Sequence, residues 1–185
     1  MIEVEVKIRI SNPSAFREKA RKIAKFIGKE KKIDDYYTLE SIDHYPEKSL
    51  RIRKRKDHYD INFKNRLSYN SGIFAKNEVE FQVSDISHFL ALIENFGFKK
   101  WLTKEKITEV YQISKHFHIE LNHVKSLGYF AEVEYLALPN EVKSARKKVK
   151  DVLKALNVSK KDIVKEGYTK MLWNKKKKPR RWFFG

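Results

Sequence analysis

Cysteine is absent from the 185 residues, which excludes disulfides, thiolate metal sites and a cysteine nucleophile. Also missing is any run of about 18 apolar residues, so no segment reads as a membrane-spanning helix. No signal peptide is read, because the first ten residues already alternate like a strand, and a soluble cytoplasmic protein is expected. Without a glycine-rich phosphate loop, P-loop and kinase chemistry have no support. The scattered serines, histidines and aspartates do not suggest a hydrolytic triad. Acid is the scarce charge: 24 Asp and Glu face 41 Lys and Arg, a net +17. That imbalance points to an anionic partner, whether nucleic acid, a membrane surface or a phosphorylated small molecule. Lys175, Lys176, Lys177, Lys178, Arg180 and Arg181 crowd the carboxyl end, yet the chain remains basic without them.

Apolar residues make up 41% and charged residues 35%, enough for one domain that buries about 70% of its extended-chain surface. The opening stretch organises the rest. Read as a strand, it places Glu3, Glu5, Lys7 and Arg9 on one face and Ile2, Val4, Val6, Ile8 and Ile10 on the other. Its Glu-Val-Glu returns at Glu78-Val79-Glu80 and at Glu132-Val133-Glu134. Each repeat puts two carboxylates on a single strand face.

Asn12-Pro13 reads as a helix start, with Phe16, Ala20, Ile23 and Ile27 as the apolar stripe and Gly28 as the stop. Strands are expected over 33–39, 49–56, 59–66 and 73–83, then a helix opened by Ser84 and stopped by Gly97. Three more strands are expected over 99–113, 116–124 and 129–138. Helices should follow to about Leu156 and over 161–173, with 175–185 left without structure. Arg51, Arg53 and Arg55 share a strand face, as do Asn62, Lys64 and Arg66. The fold class expected is α+β: an eight-stranded antiparallel β-barrel, or tunnel, with helices packed outside.

If the charged faces turn inward, the lumen gathers Glu3, Glu5, Glu78, Glu80, Glu132 and Glu134 with Lys7, Arg9, Arg51, Arg53, Lys64, Lys104 and Lys106. Burying so many ions is costly, and pairing repays it only in part. A polyphosphate with divalent metal ions would resolve the cost, since Arg and Lys match phosphate oxygens and clustered carboxylates suit Mg²⁺ or Mn²⁺. The plainer reading is a set of solvated strand faces laced with weak ion pairs.

The order of these elements resembles the CYTH family, the triphosphate tunnel metalloenzymes, which includes class IV adenylyl cyclases, thiamine triphosphatases and inorganic triphosphatases. The resemblance rests on Glu3-Val-Glu5-Val-Lys7, Leu50-Arg51-Ile52-Arg53, Lys64, the Glu78 and Glu80 pair, and Lys104-Glu105-Lys106. Leu121-Asn122-His123-Val124 and Leu127 through Glu134 complete it. It spans residues 1–173, leaving 174–185 as a basic tail. The resemblance implies a tunnel in which Glu3, Glu5, Glu132 and Glu134, with Glu78 and Glu80, hold Mg²⁺ or Mn²⁺. It implies that Lys7, Arg51, Arg53, Lys64 and Lys104 or Lys106 bind the triphosphate; Arg9 is added from its strand face. An adenylyl cyclase-like activity on a nucleoside triphosphate is the leading expectation. A triphosphatase and a noncatalytic polyphosphate- or nucleic-acid-binding protein are the alternatives.

Two departures stand out. The family pattern has Leu-Asp where this chain has Leu121-Asn122, which removes a charged ligand, and Glu120 on the same face is the candidate substitute. The usual Lys-x-Arg is Lys104-Glu105-Lys106, which keeps charge but loses a bidentate fork. A zinc site from His116, His118 and Glu120 is set aside for want of a fourth ligand. The tail could meet nucleic acid or lie on an anionic membrane surface, but a solvated end is the simpler reading. The oligomeric state stays open, a homodimer being one option.

Overall fold

The computed structural model describes residues 1–70 and 73–177, leaving aside the side chains of 64–70, 74 and 76–78. Eight antiparallel strands close into a barrel. They are β1 (Ile2–Arg9), β2 (Lys25–Thr38), β3 (Leu50–Lys54), β4 (Tyr59–Asn70), β5 (Ile73–Val83), β6 (Lys99–Ser114), β7 (Phe117–Val124) and β8 (Gly128–Ala137). Their order around the barrel is β1-β5-β4-β3-β2-β6-β7-β8. Among the described residues four α-helices lie outside: α1 (Pro13–Ile23), α2 (Ile86–Asn95), α3 (Val142–Ala155) and α4 (Tyr168–Lys177). The expected α+β barrel with external helices is the fold observed.

Period-two alternation decides which way each face turns. Val4, Val6 and Ile8 point outward and are buried beneath Phe16 and Ala20 of α1 and Ala145 and Val149 of α3. Ile119, Leu121, Ala131 and Val133 join the same core. The opposite face of these strands therefore points into the lumen, and there Glu3, Glu5, Lys7, Glu120 and Glu132 are also buried. The main core thus lies between barrel and helices, and the barrel interior is left to charge.

Helix α1 starts as expected, with the Asn12 side chain accepting from the Ala15 amide at 3.1 Å and proline in the first turn. Asn12→Ala is expected to cost about 1 kcal/mol, lowering the melting temperature by about 2–4 °C in a thermal scan. The helix ends earlier than its apolar spacing suggests. Ala24 is extended, residues 25–31 pair with β6, and Ile27 is 52% exposed. The 16-residue β6 offers backbone partners along its whole length, and this pairing overrides the weak helical periodicity.

The last helix also differs from expectation. Ile163 bridges to Ile8 and the Val164 amide donates to the Lys7 carbonyl, so this segment is held extended against β1. Helix α4 therefore begins at Tyr168, not near residue 161. It continues through Lys177, carrying the first three lysines of the basic tail, because cations are favourable at a helix carboxyl end. Residues 178–185 of the tail lie outside the described residues. Among the described residues, no helix is long and apolar enough to cross a membrane.

Candidate active site

Two kinds of charged group meet in the lumen. The first is an acid cluster. Glu3 and Glu5 of β1 and Glu134 of β8 bring carboxylate oxygens within 4.8 Å of one another, since register sets Glu5 opposite Glu134. Burial, aggravated by the charge of Glu3, pushes the Glu134 carboxyl up to about 7. His118 of β7, opposite Glu134 in register, sets its Nε2 3.6 Å from a Glu134 oxygen. Its own pKa is raised by that carboxylate. Oxygen ligands at about 2.0–2.6 Å from a hard divalent cation lie within this spread, so the three carboxylates fit such an ion.

The second is a ladder of cations held by acids. Lys7 lies 3.4 Å from Glu132. Lys106 contacts Glu120 at 2.9 Å and Glu132 at 3.5 Å, and Lys32 contacts Glu120 at 2.8 Å. Burial opposes ionisation of Glu120, yet Lys106 and Lys32 together hold it well below the usual carboxylate range. Two residues further along β2 and β6, Arg53 of β3 makes a two-pronged contact with Asp34, at 2.6 and 2.9 Å, and the Lys104 ammonium lies 2.8 Å from the same carboxylate. Asp34 is fully buried, and despite that burial Lys104 and Arg53 keep it well below its ordinary value.

Asn122 is tied into the ladder. Its amide donates to Glu132 at 2.8 Å and its carbonyl accepts from the Thr108 hydroxyl at 2.7 Å. Glu120 lies between Lys32 and Lys106 and outside the three-carboxylate group. Arg51 reaches Glu80 at 3.4 Å, and Asn62 donates to that carboxylate at 3.1 Å. Arg9 lies at the exposed end of β1, its guanidinium 4.8 Å over the Phe130 ring. Lys64 and Glu78 are register partners in β4 and β5, and their side chains lie outside the described residues.

Lys32 and Asp34, both buried, are absent from the residues that the sequence singled out. A signal existed. Glu30, Lys32, Asp34 and Tyr36 alternate along β2 as the charged faces do elsewhere. Starting that strand at 33 instead of Lys25 hid the series. Tyr168 is the other omission. It opens α4, yet its ring packs against Phe130 with centroids 5.2 Å apart and lies 4.3 Å from the Lys7 ammonium.

The CYTH domain profile matches residues 1–168. The chain belongs to the CYTH family. A Methanocaldococcus jannaschii protein named as a candidate adenylate cyclase is 27% identical over 178 residues, covering 92% of this chain and 98% of that protein. Among solved structures, a Pyrococcus horikoshii OT3 protein is 29% identical with a TM-score of 0.77, covering 94% of this CYTH chain and 99% of its own. A Hippeastrum protein, described as a candidate adenylyl cyclase with a dominant triphosphatase activity, shares the fold. Its TM-score is 0.61 at 15% identity, with 94% and 95% of the two chains covered.

Proposed function

We propose that this CYTH protein binds a triphosphate-bearing small molecule with Mg²⁺ or Mn²⁺ in its barrel and cleaves a phosphorus-oxygen bond. Our leading reading is class IV adenylyl cyclase-like: ATP to cyclic AMP and pyrophosphate. One observation carries the proposal. A three-carboxylate cluster and a ladder of buried lysines and arginines share one lumen, an arrangement whose ionic cost a metal-bound polyphosphate would offset.

Glu3, Glu5 and Glu134 are the proposed metal ligands. When bound, the cation would polarise a phosphoryl oxygen and favour the nucleophile's ionised form. Lys7, Lys104, Lys106, Arg53 and, newly, Lys32 would take the phosphate oxygens. Their present partners Glu132, Asp34 and Glu120 are the groups they would share with or exchange for the ligand. Arg53 has the fork for two oxygens, whereas the lysines act as point charges. Once Lys7 and Lys106 turn to phosphate, Glu132 is released toward the acid cluster as a further carboxylate. Arg51, Lys64, Arg9, Glu78 and Glu80 are proposed for the periphery of the same site.

Attack by a ribose hydroxyl on the α-phosphorus leaves pyrophosphate on the lysines, whereas attack by water on the terminal phosphorus leaves orthophosphate. Both use positioned positive charge to stabilise the transferring phosphoryl group. The fold accommodates triphosphatase activity in the Hippeastrum protein, so chemistry must be read from products. Phosphorus NMR of reactions with ATP, and with inorganic triphosphate, at several Mg²⁺ and Mn²⁺ concentrations is the test. Pyrophosphate with a cyclic nucleotide is the expected outcome, and orthophosphate would replace the cyclase reading with a triphosphatase. Triphosphate binding that survives chelation, without turnover under any condition, would leave a noncatalytic polyphosphate-binding protein.

A further inference from the structure

Tyr168 belongs by sequence to the C-terminal helix, but it sits among the lumen lysines. Its ring lies 4.3 Å from the Lys7 ammonium, 5.8 Å from that of Lys104 and 5.9 Å from that of Lys106. The residue is 5% exposed, packed with Val124 and Phe130. Among the described residues, its hydroxyl has no hydrogen-bond partner. Asn122, the amide neighbour of the ring, directs its N–H groups to Glu132 at 2.8 Å and Glu120 at 3.4 Å, and its carbonyl already accepts from Thr108, so it is not the acceptor of the phenolic O–H. Phenylalanine would supply the same packing and the same cation–π contacts, so neither explains the hydroxyl. A buried O–H left without an acceptor is a cost to the ligand-free fold.

An acceptor must therefore come from outside the described side chains, and the surroundings specify its chemistry. Three ammonium groups around one phenol ring call for an anionic oxygen that can accept from the hydroxyl and from the lysines at once. A phosphate oxygen does so, accepting a charge-assisted hydrogen bond from the phenol while the lysines neutralise it. We propose that Tyr168 is a phosphate-binding residue that the C-terminal helix delivers to the Lys7, Lys104 and Lys106 layer. The inference rests on the triphosphate reading above and adds to it a ligand from outside the barrel strands. It also gives the α4 segment a role. The Lys7 carbonyl accepts from the Val164 amide, and Tyr45 and Thr169 share a hydrogen bond at 2.8 Å, so the start of α4 is tied to both β1 and the segment after β2.

Tyr168→Phe separates this role from a structural one, because the two predict opposite signs. Removing an unpartnered buried hydroxyl should leave the melting temperature of the ligand-free chain unchanged or raise it. Removing a hydrogen bond to a charged oxygen should weaken inorganic tripolyphosphate binding about tenfold. Calorimetric titration of both proteins with inorganic tripolyphosphate, in EDTA and again with Mg²⁺, reads the second effect. Equal affinity in the two proteins would overturn the assignment while leaving the triphosphate reading intact. Failure of the wild-type chain to bind tripolyphosphate in either condition would overturn that reading and this inference with it.

Discussion

Glu134→Gln is expected to make the ligand-free chain more stable at pH 8 while reducing turnover by at least about 10²–10³-fold. The stability effect follows from burial of this carboxyl beside Glu3, which pushes it up to about 7. Between the ordinary glutamate range and pH 7 the folded chain keeps a proton that the unfolded chain releases. Folded protein then binds more protons than unfolded, and stability falls as pH rises through that window. The loss is complete above about pH 7 and amounts to about 3 kcal/mol. His118, its pKa raised by Glu134, acts in the same direction: it too holds its proton to higher pH in the folded chain than in the unfolded one, and that contribution is lost as pH rises.

Wild type and Glu134→Gln should therefore have similar melting temperatures near pH 5. They should diverge by about 6–10 °C at pH 8. A divalent cation reverses the picture for wild type alone, since metal ligation requires the ionised carboxylate and binding stabilises whichever state holds the ion. Thermal scans from pH 5 to 8, with and without Mn²⁺, check this directly. If Mn²⁺ stabilises both proteins equally, Glu134 is not a ligand.

Asp34→Asn should produce a large loss of the opposite kind. Asp34 is the shared counterion of Arg53 and Lys104, and all three side chains are buried. Asparagine keeps the volume but leaves two buried cations with a neutral partner, at a cost of about 3–5 kcal/mol. The same vacancy is an anion site in waiting. Tripolyphosphate should recover much of the lost melting temperature in the variant and raise that of wild type less, because wild-type lysine and arginine must give up a carboxylate to receive it. Equal stability of the two proteins without ligand would show that Asp34 does not hold the ladder together.

Some of this was legible in the chain before any fold was considered. Strict alternation in Glu3 to Arg9, echoed around Glu78 and Glu132, marks strands with one charged and one apolar face. With helices placed by Asn12-Pro13 and Gly97, such strands bury their apolar faces beneath helices, but the pattern alone leaves the charged faces either solvated or turned inward, and the resemblance to the CYTH family favours the second. Which residues share a face follows from that pattern, and the closed barrel from the pattern and the resemblance together. Lys32 and Asp34 were hidden by a helix-like spacing that ran through Ile27, which the backbone pairing of β2 with the long β6 overrode.

What the sequence determined alone is local: which residue types share a strand face, since a side-chain period of two is a property of extended backbone. Only the tertiary structure decided which acid meets which cation. Glu120 of β7 answers to Lys32 of β2 and Lys106 of β6, Asp34 of β2 to Arg53 of β3 and Lys104 of β6, and Tyr168 arrives from a helix outside the barrel. Such partnerships depend on strand register and barrel closure, which bring together residues separated by up to 161 positions, from Lys7 to Tyr168. No spacing rule along the chain encodes a distance of that kind, because it is set by how the sheet curls and by the packing that holds α4 in place.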